Sequence, residues 1–490
     1  MKALRNDSSK KLARGGAAVA ALFLIPLLIL VVLNTDSLPQ LTRLRESSIT
    51  QVSDFFISIR PKTSNQVQYL GGTKENVVQT VTQVSDETVH KVYSSSDVAA
   101  RRSKLSCNVT RAGMDICAME GDVRVHGKSA TVYVVAASHD SYRPENGTVS
   151  ILPYARKTDG GTKVTIRLSA PDVTTDDINP PRCTVTHDVP AVVFSTTCCY
   201  STNFFHATDD TIIPLYNTAR EYDGHVQLLV TDYDHKLMFK LRHFLAALSI
   251  YPVIDFNADD AVRCFPLVRV GLERHEELRI NPALSRKGYA MKDFRDFLRS
   301  AYSLKHAWAT PAHQSSSQRP RLVMVLRRGS RVITNEAEAI ATVTEVGFEL
   351  VAAAPEMVRD MATFAHVVNS CNVMVGVHGA GLTNLMFLPN NATFMQIIPW
   401  GEIKEIGWNE FGHPSLDMGL RYVEYEISAE ETTLKDVYPK DHDVFTDPLS
   451  IHKQGFRPVW EIFLNGQNVT LDMDRFRGVM QQIYQSVTIT

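Results

Sequence analysis

From Arg321 to Ile398 the chain alternates short apolar runs with polar, helix-forming stretches, and this rhythm leaves few folds open. Arg321–Leu326 reads as a buried strand, Phe348–Ala353 as a second, Asn372–Val377 as a third and Thr393–Ile398 as a fourth. Between the first two, Asn335 with Glu338 three residues on has the spacing of a capping box that opens a helix. Glu356–Ser370 reads as the next helix, and Gly379-Ala380-Gly381 opens a third. Continuous apolar strands joined by helices form a parallel, doubly wound sheet, which binds ligands beyond the C-terminal ends of its strands. Phe476, Val479, Met480 and Ile483 repeat at helical spacing and mark an amphipathic closing helix.

The preceding segment is also α/β. Val123–Gly127 and Ala130–Val135 alternate like strands, whereas Ala191–Phe194 and Val226–Val230 are continuous apolar runs. Helical stretches at Asp210–Arg220, Lys236–Leu248 and Met291–Leu304 separate them. A polar segment with two prolines, 309–320, reads as an interdomain linker. The expected organisation is therefore an N-terminal α/β domain over 101–308, that linker, and a second domain over 321–490.

Ahead of this lies a membrane-type segment. Residues 17–33 carry no charge and no polar side chain, and at about 1.5 Å per residue they span roughly 25 Å, enough for a thin bilayer. The cations Lys2, Arg5, Lys10, Lys11 and Arg14, against the single acid Asp7, place residues 1–16 in the cytosol. No small-residue cleavage site follows, so the segment reads as a retained signal anchor rather than a removed peptide. Residues 34–100, rich in Ser, Thr, Gln and Val, read as a flexible stem. A luminal body agrees with glycosylation sequons at Asn108, Asn146, Asn391 and Asn468. It agrees also with seven cysteines whose spacing fits no zinc site; Cys107 and Cys117 are placed to staple a short loop. The near-balance of 51 Lys+Arg against 53 Asp+Glu argues against a dedicated nucleic-acid binder.

Two loops carry the chemistry of the second domain. At the end of the third strand stands His378-Gly379-Ala380-Gly381, where small residues and a helix N-terminus suit an anion. At the end of the first strand stands Arg327-Arg328-Gly329-Ser330-Arg331, whose guanidinium forks match phosphate oxygens. Both loops fall on one edge of a doubly wound sheet, which points to a nucleotide diphosphate; no Walker loop is present. In the first domain His206 and Asp210 share a helical face, a spacing open to a general base or to a packed, capped histidine. Asp232-Tyr233-Asp234 has the form of a metal-binding D-x-D but lacks flanking ligands.

Gly376–Pro389, the arginine loop, Phe411-Gly412 and Met418–Tyr422 together resemble the plant branch of glycosyltransferase family sixty-one. Asp115–Cys117, Gly121–Gly127, Thr186–Val193, Tyr251–Val253 and Asp255-Phe256 are similar to the same branch, so the likeness runs from about residue 104 to the C-terminus. The resemblance implies a GT-B architecture of two Rossmann-like domains and inverting sugar transfer without a metal or other cofactor. It implies a single-pass type II Golgi membrane protein that moves xylose or arabinofuranose from a UDP-sugar to xylan, alone or as a homo- or hetero-oligomer. By the same likeness Arg327, Arg331, His378, Gly379, Ala380 and Gly381 hold the UDP diphosphate, and His206 or Asp210 is the base. The sequence departs from the family pattern at Cys198, Cys199, Thr202 and Ala207, which border the acceptor side. A protein or pectin acceptor, or a non-catalytic scaffold that binds UDP-sugar, are the alternatives these departures leave.

Overall fold

In the computed structural model, residues 102–489 are described apart from 111–112, 139–140, 158–159, 170–179, 197–202, 314–318 and 359, and they belong to one compact unit, 60–490. The cytosolic tail, membrane segment and stem expected over 1–100, and the positions Cys198, Cys199 and Thr202, lie outside the described residues. Among the described residues no helix is long and apolar enough to cross a membrane.

The first sheet has ten strands: β1 (Lys104–Asn108), β2 (Ile116–His126), β3 (Thr131–Val134), β4 (Thr148–Ile151), β5 (Val164–Leu168), β6 (Val185–Thr186), β7 (Ala191–Ser195), β8 (Gln227–Thr231), β9 (Ile254–Asp255) and β10 (Val262–Val270). Their order is β4-β5-β3-β2-β10-β7-β8-β9, with β1 beside β2 and β6 beside β10. β7 pairs with β8 and β8 with β9 in parallel, and β7 and β8 are buried throughout, as parallel strands covered on both faces are. The rest corrects a purely Rossmann-like reading, because β2 and β10 pair antiparallel over most of their lengths. β2 alternates, turning Cys117, Met119, Val123 and Val125 into a core of their own. Pro266 supplies no ladder N–H, and the β2–β10 register slips there between Phe265 and Leu267.

Cys107 and Cys117 face each other across β1 and β2 and are disulfide-bonded, as their spacing suggests. A second disulfide, Cys183–Cys264, ties the segment before β6 to β10; no spacing rule reveals it. Cys371 is free and buried. The linker contributes β11 (Ala312–His313), which pairs with β17 (Thr488–Ile489) near the C-terminus.

The second sheet matches the expected rhythm and adds a strand. β12 (Arg321–Val325), β13 (Glu349–Ala353), β14 (Val373–Val377), β15 (Thr393–Ile398) and β16 (Arg421–Glu426) are all parallel, in the order β13-β12-β14-β15-β16. The chain winds one way from β12 to β13 and the other way from β14 onward. The switch point, where an open α/β sheet has its crevice, therefore lies between β12 and β14.

Three local expectations need correction. Asn335 makes no side-chain cap on the helix Glu336–Val346; its amide instead pins Leu471, taking the Leu471 N–H at 2.9 Å and donating to the Leu471 carbonyl at 2.9 Å. The next helix begins only at Met361, capped by Asp360. The turn at Gly379 opens a 3-10 helix, Ala380–Phe387, rather than an α-helix.

Helices fill the space between the sheets. Ile213–Ala219, Arg242–Leu248, Met291–Ala301 and Met361–Asn369 join residues of β7, β8, β12 and β14 in one continuous apolar core. The closing helix, Met473–Val487, buries Phe476, Val479, Met480 and Ile483 against the outer face of the second sheet. Arg295, wholly buried, donates to the carbonyls of Met386, Leu388 and Met418 and to Asn390 Oδ1, and so clamps Met291–Ala301 to the second sheet's loops.

Candidate active site

The arginine loop follows β12 and the histidine–glycine turn follows β14, so the two flank the switch point. Gly379 has φ +142°, and a Cβ there would stand 2.2 Å from Arg327 Nη1; the guanidinium lies directly on the turn. A Cβ on Gly381 would meet Val325 Cγ1 at 2.9 Å, so this glycine seats the 3-10 helix against β12. As the opening residues of that helix, Gly379, Ala380 and Gly381 have backbone N–H groups with no partner inside it.

Of the loop's three arginines only Arg328 turns outward, to Glu336 at 2.8 Å. Arg331, in the left-handed region at φ +54°, is buried, and its Nε has no hydrogen-bond partner. Burial pushes its pKa down to about 9, with Arg327 adding to the effect and Glu410 opposing it. Burial also lowers Arg327. Among the described residues neither forms an ion pair, so the pocket holds two cations that a ligand's negative charge would satisfy.

His378 is buried, and burial, Arg331 and Arg327 hold its pKa well below the usual imidazole range. Gln396 Nε2 donates to its Nδ1 at 2.9 Å. Glu410 Oε2 lies 3.6 Å from its Nε2. Glu410, on the π-helical turn Trp408–Gly412, is a site residue that motif reading missed: the recognisable Phe411-Gly412 begins one residue later. Burial pushes its carboxyl up to about 8; Glu277 and Asp209 reinforce this, against Arg331 and Arg156.

The acceptor-side candidates do come together. Residues Ala207–Ile212 form a π-helical turn between Phe204–His206 and Ile213–Ala219, a departure from regular helix common at functional sites. His206 Nδ1 meets Asp210 Oδ2 at 3.1 Å. Asp210 is fully enclosed, taking hydrogen bonds from Tyr154 Oη at 2.9 Å and Arg156 Nε at 2.7 Å. Burial alone would raise its carboxyl; Arg156, the His206 hydrogen bond and Arg274 outweigh it and hold it at about 2. Asp209 binds Arg274, Arg156 and the Leu278 N–H. The sequence left His206 and Asp210 as equals; their burial separates them. The Asp210 carboxylate has no access to a hydroxyl outside the protein, whereas the His206 side chain is 24% exposed.

The two halves meet through aromatic rings. Phe205 lies 5.5 Å from Phe411, and Phe411 lies 5.7 Å from His378. His206 and the anion loop thus stand on either side of Phe205 and Phe411, with Glu410 beside them.

The D-x-D residues have structural duties. Asp232 accepts from Thr162 and Ser195, and Asp234 caps the helix His235–Lys240. Among the described residues one acid–cysteine trio, Asp122, Cys183 and Cys264, has metal-like proximity, but both its sulfurs are in a disulfide. Of the sequons, Asn108, Asn146 and Asn391 are exposed, while the Asn468 side-chain oxygen accepts from the Val332 N–H at 3.0 Å.

A doubly wound sheet with an arginine-lined, glycine-backed anion site, facing a histidine–carboxylate pair, has the makings of a nucleotide-sugar-dependent transferase. The profile of the family Glycosyltransferase 61 matches residues 204–395. Alpha-1,3-arabinosyltransferase XAT3 of Oryza sativa subsp. japonica is 39% identical over 414 residues, 82% of this chain and 70% of its own length. Beta-1,2-xylosyltransferase XYXT1 of the same plant is 40% identical over 394 residues, 77% of this chain and 83% of its own length. Xylan glycosyltransferase MUCI21 of Arabidopsis thaliana is 33% identical over 408 residues, 80% of this chain and 81% of its own. The chain belongs to glycosyltransferase family 61, and it is a glycosyltransferase.

Proposed function

We propose that this protein transfers a pentose, xylose or arabinofuranose, from a UDP-sugar to xylan, with inversion at the anomeric carbon. The observation that carries the reading is two arginines without an ion pair among the described residues, Arg327 lying on the glycine turn and the buried Arg331 with its Nε unpartnered, in a chain whose relatives are named arabinosyl- and xylosyltransferases. Arg327, Arg331 and the N–H groups of Gly379, Ala380 and Gly381 bind the diphosphate, and His378 lies beside it. His206 Nε2 takes the proton of the acceptor hydroxyl as its oxygen bonds to the anomeric carbon. The bond from that carbon to the diphosphate oxygen breaks, and UDP leaves with its charge on the arginines. Asp210 accepts from Nδ1–H and so orients the imidazole. No metal or cofactor is assigned a step.

The two sheets serve as the lobes of a GT-B arrangement, 101–308 on the acceptor side and 321–490 on the donor side. The apolar segment 17–33 anchors the chain in the Golgi membrane with this body luminal. The test is a panel of UDP-sugars offered with xylohexaose, read by mass and linkage analysis. One added pentose from a single donor is expected. UDP binding with no transfer from any donor would overturn the reading in favour of a scaffold.

A further inference from the structure

A glutamine in the middle of an apolar strand needs a reason. Gln396 sits in β15, Thr393–Ile398, where all six residues are buried, and it is itself fully enclosed. Gly407 leaves its amide room, since a Cβ there would approach Gln396 Nε2 to 3.1 Å. Both ends of the amide are used. Tyr422 Oη, from β16, donates to Oε1 at 2.9 Å, and Nε2 donates to His378 Nδ1 at 2.9 Å. We infer that Gln396, oriented by Tyr422, is a positioning residue that fixes His378 in its Nε2–H tautomer, so that the imidazole donates a hydrogen bond to the sugar-nucleotide diphosphate. This rests on the diphosphate reading above.

The chemistry follows from what each atom can do. An amide nitrogen only donates, so the Nδ1 facing it is a lone pair. A neutral imidazole then carries its hydrogen on Nε2. The opposite tautomer would turn a lone pair toward phosphate oxygens and repel them. Tyr422 donates to Oε1, which leaves Nε2 to face the ring, and with all three side chains buried no solvent competes for these bonds. The charged and titratable groups around the ring are Arg327 and Arg331 from the loop after β12 and Glu410 from the π-helical turn. Tyr422 stands behind Gln396 on β16, with Glu424 beyond it, 3.5 Å from the Tyr422 oxygen.

The test is Gln396→Glu in the full chain, with UDP affinity measured from pH 5.5 to 8 and expressed relative to wild type at each pH. That ratio cancels the titration of the nucleotide's own phosphate. At the alkaline end the new carboxylate accepts from Nδ1–H, Nε2 becomes a lone pair, and affinity is expected to fall by about tenfold or more. On acidification the carboxyl–imidazole pair gains a proton, Nε2–H is restored whichever partner holds it, and affinity recovers toward wild type. Through-space repulsion from the new carboxylate would also reverse with acid, so the uncharged Gln396→Met and Tyr422→Phe must lose affinity too for the tautomer reading to stand. Gln396→Met, which leaves the tautomer free, should show a smaller loss without acid recovery, and Tyr422→Phe a loss in the same direction. Gln396→Glu that matches wild type at every pH, or whose loss is the same at every pH, overturns the inference. If Gln396→Glu does not fold, Tyr422→Phe with unchanged affinity overturns it instead. Wild type that binds no UDP would defeat the diphosphate reading itself, a separate outcome.

Discussion

Arg331→Met should move stability and ligand binding in opposite directions. The side chain is 6% exposed, its Nε is unpartnered, and the neighbouring Arg327 lowers its pKa more than Glu410 raises it. Keeping the guanidinium charged where burial has pushed its pKa down to about 9 costs on the order of 5 kcal/mol. Methionine retains much of the volume and removes that cost, though a methionine in the left-handed backbone at φ +54° is no better placed than arginine. Recovery of even 1 kcal/mol would raise the melting temperature of the ligand-free protein by about 2 °C. The same change deletes charge-assisted hydrogen bonds to the diphosphate, of roughly 1.5–3 kcal/mol each, so the UDP dissociation constant should rise by about tenfold to a hundredfold. Differential scanning fluorimetry with and without UDP reads both quantities. Without ligand the variant should melt above wild type. At about a hundred times the wild-type dissociation constant, wild type gains about 2.7 kcal/mol and the variant only about 0.4–1.4, so the variant's lead should shrink by about 1.3–2.3 kcal/mol. A variant that melts lower without ligand, or that binds UDP within twofold of wild type, would refute the reasoning, because Arg331 would then be a structural cation.

Glu410, raised to about 8, is neutral below that pH and ionises above it, placing a negative charge between Arg331 and Glu277; the donor KM should rise above pH 8, and Glu410→Gln should flatten the rise. His206→Ala should lower kcat by about a hundredfold to ten-thousandfold with UDP affinity unchanged, and equal kcat would remove His206 as the base. Asp210→Asn should also cost stability, about 1–2 kcal/mol in urea unfolding, because the half-buried Arg156 and Arg274 would keep only Asp209 and Glu277 as anionic partners. Arg295→Met, in contrast to Arg331→Met, should destabilise the ligand-free protein by about 2 kcal/mol or more, since four buried acceptors lose their donor; a rise in melting temperature would contradict that.

The second sheet was legible in β12 to β15 because each of these strands is a mainly apolar run closed by a turn residue, and its ligand loops fall at strand ends by topology alone. β16 went unread as a strand because Arg421, Glu424 and Glu426 break its apolar run. The first sheet was legible only in part: β2 and β10 lie far apart in sequence, and an alternating strand does not state its partner or direction. Asn335 followed a sound capping rule and was diverted by a stronger local use, the edge of Leu471. Arg327 and Arg331 could be named from their loop, but that Arg328 faces outward required the backbone turn at Gly329, φ +99°. Glu410 had no signal at all, since its altered proton affinity arises from groups in both halves of the chain. Gln396 did leave a trace, a polar amide inside TFMQII, and a buried amide in such a strand always implies partners worth finding.

The core between the sheets has a thermodynamic consequence. Val192 and Phe194 of β7 and Val323 and Val325 of β12 belong to one apolar cluster, with Met291–Ala301 tied across it by Arg295. Parting the sheets would expose that cluster to water, so neither half has a complete interior without the other. Calorimetry of this region should therefore record a single endotherm whose van't Hoff and calorimetric enthalpies agree, rather than two separable meltings. Cutting the chain at 309–320 to obtain a free-standing donor half would yield a fragment with an apolar face exposed and a tendency to aggregate.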